Sequence, residues 1–154
     1  MNTQAEIALV DFKKDYEAFL VACNDLEESG RWDAGELGPA ATYFESDAFG
    51  AILQVMSADG VFEHAEAEVL NAMFDTQYSP RQLSDMYHSL KPTLRAYLNE
   101  ESDDALTLLK GLDADLAETY RKLLLEACRI VSLSDGVAEK GERMLIAQLR
   151  EALT

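Results

Sequence analysis

The 154-residue sequence predicts an all-α protein of about seven helices in a bundle containing two pseudo-symmetric helical hairpins. Three observations carry this expectation. Apolar residues recur at helical spacing along most of the chain. No stretch of alternating β-branched residues is bounded by turn signals. A helix, Asp-Gly, helix unit occurs twice, 76 positions apart. The length suits one domain that buries about 70% of its unfolded surface.

The first helix is expected from about Ala5 to Glu28, with Phe12, Tyr16, Phe19, Leu20, Cys23 and Leu26 forming one stripe. Gly30, Gly35, Gly38 and Pro39 then mark a loop, which Trp32 is expected to plug onto the core. A second helix covers Thr42 to Ala58, closed by Asp59-Gly60, and a third runs from Glu63 to Asp75 with Val69, Leu70, Met73 and Phe74 inward. Ser79-Pro80 supplies a cap and a first-turn proline for a fourth. Its stripe runs from Leu83 through Met86, Tyr87, Leu90 and Leu94 to Tyr97 and Leu98, and Pro92 predicts a kink or split near His88 to Lys91. Ser102 caps a short fifth helix ending at Gly111. Asp113 caps a sixth carrying Leu116, Tyr120, Leu123, Leu124, Ala127, Ile130 and Val131. The last helix spans Glu139 to Ala152. The connections are short, and no linker divides residues 1–154 into two domains.

Thirteen basic against 29 acidic side chains leave a net charge of −16. The excess runs through every third of the chain, so it describes solvated helix faces rather than a tail. Such a field repels phosphate backbones and draws basic protein surfaces, which argues against nucleic acid as a partner. The longest apolar run, Ala18 to Cys23, is far short of the roughly 20 residues of a membrane helix, so no direct membrane insertion is expected. Without a signal-like core, the chain reads as cytoplasmic. Cys23 and Cys128 show no CxxC or His-rich context and read as small buried apolar residues.

An offset of 76 aligns Val55–Met73 with Val131–Leu149. Val55/Val131, Asp59/Asp135, Gly60/Gly136, Val61/Val137, Glu63/Glu139 and Glu66/Glu142 are identical, and Val69/Leu145, Leu70/Ile146 and Met73/Leu149 keep the apolar stripe. Ala58-Asp59-Gly60 followed by Glu66, and Ser134-Asp135-Gly136 followed by Glu142, resemble the two hairpins of the TerB-like family. That all-helical domain is associated with tellurite resistance and is also attached to DnaJ-like co-chaperones. The resemblance covers residues 50–153 as a core, with residues 1–45 as an N-terminal helix and Gly-rich loop. It implies a non-catalytic cytoplasmic module of envelope or chemical stress, with metal ions at its acidic corners.

Two accounts of the corners stand side by side. In one, the glycines take the left-handed conformation that ends a helix, and the glutamates complement the macrodipole of the next; no ligand is needed. In the other, Asp59-Gly60 to Glu66 and Asp135-Gly136 to Glu142 reproduce the second half of a calcium loop. Its first half is missing, with Val55 and Ser57, or Val131 and Leu133, at ligand positions. A composite site would then draw on Asp59, Glu63, Glu66, Asp135, Glu139 and Glu142 to hold Ca²⁺, Mg²⁺ or Mn²⁺.

His64 and His88 are the only histidines, and no HExxH, GxSxG, P-loop or GxGxxG spacing occurs, so no enzyme is expected. His64 reads as solvent-exposed beside the acidic turn, and Met73, Met86 and Met144 as core filling. The sequence therefore points to a stress-response or scaffold module that binds a divalent cation or a basic protein. The alternative is an acidic inhibitor or immunity-type protein, with Trp32 and Tyr43 as exposed aromatic anchors.

Overall fold

In a computed structural model, residues 2–57, 59–90, 93–98, 104–134 and 140–154 are described, and every regular element among them is a helix. In chain order these are α1 (Thr3–Glu28), α2 (Ala34–Leu37), α3 (Ala40–Met56), α4 (His64–Phe74), α5 (Pro80–Ser89), α6 (Thr93–Leu98), α7 (Ala105–Leu112), α8 (Ala114–Leu133) and α9 (Lys140–Leu153). Nine helices among the described residues replace the expected seven for two local reasons. A four-residue turn, α2, forms inside the Gly-rich loop, with the Asp33 carboxylate accepting from Glu36 N–H at its start. The fourth stripe is divided, because α5 ends at Ser89 with Leu90 extended and α6 begins at Thr93. Pro92 itself lies outside the described residues.

Helix α3 forms the centre. From Ala48 to Met56 all but Gln54 are buried, so helices cover it on several sides, among them α1, α4, α5, α6, α8 and α9. Helix α1 buries Phe12, Tyr16, Phe19, Cys23 and Leu26 mainly against α8, which buries all seven of its expected stripe residues. Phe19 stacks on Tyr120 at 5.0 Å, and Phe44 meets both rings edge-on. Trp32 is buried as expected; its ring packs on Tyr43 and Phe44, and its Nε1–H donates to Gly38 O at 2.8 Å. That bond pins the loop to the core and removes Trp32 as an exposed anchor. Cys23 and Cys128 are both free and buried, and burial pushes each thiol up to about 12.

The caps are mostly where the sequence places them. Ser79 and Gln82 form a reciprocal capping box on α5, and Asp113 alone joins α7 to α8, its carboxylate accepting from Leu116 N–H. The cap of α7 is Asp104, bonded to Thr107 N–H at 2.8 Å, rather than Ser102, which lies outside the described residues. Asn2 caps α1 and also donates from Nδ2 to Leu133 O at 2.5 Å, tying the start of α1 to the end of α8. Met73 is buried and Met86 half-buried, but Met144 is 63% exposed and fills no core.

Candidate functional site

The sequence repeat falls on two helix pairs, α3–α4 and α8–α9, whose second helices begin at His64 and Lys140, positions 76 apart. The first corner runs from Ser57 to Glu63. Its hub is the buried Ser57, whose hydroxyl reaches Asp59 Oδ1 at 2.9 Å and Val61 O at 3.0 Å while accepting Gly60 N–H. Asp59 is exposed, and the same Oδ1 accepts Val61 N–H at 3.0 Å. These bonds, that from Val61 first, hold the Asp59 carboxyl below its usual range and keep it ionised.

Gly60 has φ +79°, the left-handed region expected of it, but its task differs from the expected one. Helix α3 already ends at Met56 with Ser57 extended, so Gly60 does not cap it. It turns the chain where α5 presses on the corner. A Cβ there would lie 2.6 Å from Tyr87 Cδ1 and 3.0 Å from His88 Cε1 and Nε2. Phe62, next but one, packs edge-on against Tyr87. His88 therefore also lies against the corner, a placement for which the sequence has no signal beyond the glycine itself.

Glu63 and Glu66 complete a capping box at the start of α4. The Glu63 side chain accepts the Glu66 N–H, and Glu66 Oε1 accepts the Glu63 N–H at 2.9 Å. Glu63 and His64 are exposed, whereas Glu66 is only 6% exposed. Asp135 and Glu139 of the second corner lie outside the described residues, as does the side chain of Glu142 on α9. The structure thus brings Asp59, Glu63 and Glu66 into one corner, two of them committed to starting α4. Among the described residues no three acidic, histidine or cysteine side chains are grouped to hold a metal.

A second polar centre, unforeseen in the sequence, lies inside the bundle. Asp47 Oδ2 on α3 accepts from the hydroxyls of Tyr97 on α6 and Tyr120 on α8, the latter at 2.5 Å. Desolvation raises the Asp47 carboxyl against the opposing pull of the two phenols, and burial pushes both phenols far up. The trio knits three helices through neutral donors.

An all-helical bundle in which a sequence repeat falls on two helix pairs, α3–α4 and α8–α9, the first of them joined by an Asp-Gly corner with an acidic helix start, is the class of protein this fold defines. The chain belongs to the TerB family: the family model described as Tellurite resistance protein TerB matches residues 46–154. The match takes in both hairpins and begins inside α3, leaving α1 and α2 before it. Neither a curated protein nor a solved structure matches the chain.

Proposed function

We propose that the protein is a non-catalytic TerB-family scaffold of the cytoplasmic response to chemical stress, docking a basic protein partner through its acidic surface. One observation carries the reading. Twenty-nine acidic against 13 basic side chains leave a net charge of −16, an excess that internal pairs such as Asp75 with Lys13, Asp113 with Arg31 and Glu118 with Arg121 cannot remove. The remaining field has a long-range effect that internal pairing does not cancel, and it speeds encounter with a cationic surface. It also opposes phosphate contacts, so nucleic acid is not the partner. No described helix is long and apolar enough to cross a membrane.

An inhibitor of a basic toxin would use the same field. It fits less well, because Trp32 is 4% exposed and holds its own loop, and Tyr43 is half-buried against it.

A second reading is a hard divalent cation, Ca²⁺, Mg²⁺ or Mn²⁺, shared by the two corners. The exposed, ionised Asp59 favours it. Such an ion would take Asp59 and Glu63 from the first corner and Asp135, Glu139 and Glu142 from the second, leaving Glu66 to its capping box.

The scaffold reading is tested with the full chain as bait, the captured partner being purified and its association measured at two salt concentrations. Association should slow as the Debye length falls from about 30 to 10 Å. A rate indifferent to salt, or tight binding to nucleic acid in place of protein, refutes the reading.

A further inference from the structure

We propose that the outer face of α1 is a dimer interface, on which a second copy of this chain lays its own α1 antiparallel. The proposal goes beyond the scaffold reading, which leaves the number of copies open. Among the described residues five large apolar side chains are exposed, and three of them, Ile7 at 61%, Val10 at 68% and Val21 at 61%, stand on α1. Singly, exposed apolar residues are ordinary. These three share a register, because positions 7, 10, 14, 17, 21 and 24 are all exposed and follow one another at alternating steps of three and four. That spacing is the seam of a two-helix coil, in which a 3.5-residue period keeps one line of side chains facing a partner helix. The opposite face of α1 is already taken, with Phe12, Tyr16, Phe19, Cys23 and Leu26 buried against the bundle.

The order of charges names the occupant. Lys14 and Glu17 hold the middle of the seam, both exposed, and neither makes an ion pair among the described residues. Their charged neighbours turn aside: Lys13 reaches Asp75 at the end of α4 at 2.7 Å, and Asp15 bonds with Glu126 of α8. Reversing α1 about the midpoint between Lys14 and Glu17 sets Lys14 against the second copy's Glu17 and Val10 against its Val21. Both contacts occur twice, since a two-fold interface presents the same patch from each side. Ile7 then falls beside Asn24 at each solvated end. A parallel pair would oppose lysine to lysine and glutamate to glutamate, so the charges select the antiparallel one.

A second copy fits this face better than a basic protein or a lipid surface. The seam carries one cation and one anion within a chain of net charge −16, so it is not the surface that draws a basic partner. An anionic membrane would meet Glu6, Asp11, Asp15 and Glu17 on the exposed side of the same helix. Another copy of the chain brings the matching cation and anion at the matching separation by construction. The two copies repel each other through their net charge, and salt that screens this field should favour the dimer.

The test is sedimentation equilibrium of the full chain over a concentration series, at salt that shortens the Debye length to about 8 Å. The unaltered chain should pass from monomer to dimer. Lys14→Glu and Glu17→Lys should each weaken the dimer about tenfold, because two attractive pairs become repulsive. The first adds negative charge to the chain and the second removes it, so a shared loss reports the pairing rather than the net field. Mixed in equal amounts, the two single variants should pair with each other as tightly as the unaltered chain pairs with itself, and the double variant should recover the dimer. Val10→Asp should weaken association about a hundredfold, since a carboxylate then faces Val21 in both copies. Val10 is exposed, so helix content and melting temperature should hold in that variant, which separates a lost contact from a lost fold. A chain monomeric at every concentration, a dimer indifferent to Val10→Asp, or single variants with no preference for each other overturns the assignment. Binding to anionic lipid vesicles, or to a different protein while the chain alone stays monomeric, gives the face to that occupant if Val10→Asp abolishes it, and overturns the dimer as well.

Discussion

The ring of Tyr87 occupies the space that a Cβ on Gly60 would need: the two atoms would stand 2.6 Å apart, so the first Asp-Gly corner is shaped by α5 as much as by its own turn. Gly60→Ala should therefore destabilise the fold by about 2–4 kcal/mol, combining left-handed strain with a contact that must be relieved. Gly30, at φ +82° with nothing within 4 Å, isolates the first component, and Gly30→Ala should cost about 1 kcal/mol. Urea unfolding of both variants measures the difference. Equal losses would mean that Tyr87 yields freely.

Tyr120→Phe should cost about 1–3 kcal/mol, since Asp47 loses a donor in a buried site. The same change alters pH dependence. The Asp47 carboxyl is raised in the folded protein, so folding holds a proton that the unfolded chain releases, and stability falls as pH rises above the ordinary aspartate value. Without the phenol the carboxyl rises further and the fall steepens. Thermal melts between pH 4 and 8 report it; a parallel pH profile would contradict the role given to the hydroxyl.

Glu126 makes a second, separable pH effect at the α1–α8 seam. Desolvation first, then its hydrogen bond with Asp15 and the charges of Asp15 and Asp11, raise its carboxyl to about 7, with Lys14 and Arg129 on the same rim. Between about pH 4.5 and 7 the folded state keeps a proton that the unfolded state has lost, so stability declines across that window and stays low above it. After allowance for solvent screening the decline is about 1 kcal/mol. Glu126→Gln should flatten the profile there, and an unaltered slope would remove Glu126 from the account.

The divalent reading predicts a rise in melting temperature with Ca²⁺ or Mn²⁺, worth about 2.7 kcal/mol at a hundredfold excess over Kd. Asp59→Asn with Asp135→Asn should abolish it. Na⁺ at matched ionic strength controls for screening of the −16 charge. A rise that survives the double substitution places the ion elsewhere.

Much of the helical framework was legible because a 3.6-residue period is a local property. The stripes of α1 and α8 needed no knowledge of their neighbours, and the caps Ser79 and Asp113 sit one residue before the helices they start. Local rules also misled where two signals competed. Ser102 was the expected cap although Asp104 does the capping, and Met144 fits a stripe yet faces solvent. At the site the sequence marked Asp59, Glu63 and Glu66 as acids near a turn, but not that Glu66 is buried in a capping box. Contacts made across the fold left no pattern to read. Tyr87 on Gly60, and Tyr97 and Tyr120 on Asp47, join segments 27 to 73 residues apart through single side chains.

The docking of α1 on α8 also bears on how the chain is made. Eighty-five residues separate Glu28 from Ala114, and the Asn2 bond spans 131 positions to Leu133. A ribosome adding about 5–20 residues per second leaves the apolar stripe of α1 without its main partner for roughly 5–20 s. Phe12, Tyr16, Phe19 and Leu26 lack that partner throughout the interval, with only α3 and α4 already made to pack on them, in a segment ahead of the TerB match. The order of synthesis thus makes α1 the element most in need of a holding chaperone, and a version of the chain with α1 moved behind α9 should fold with less demand for one.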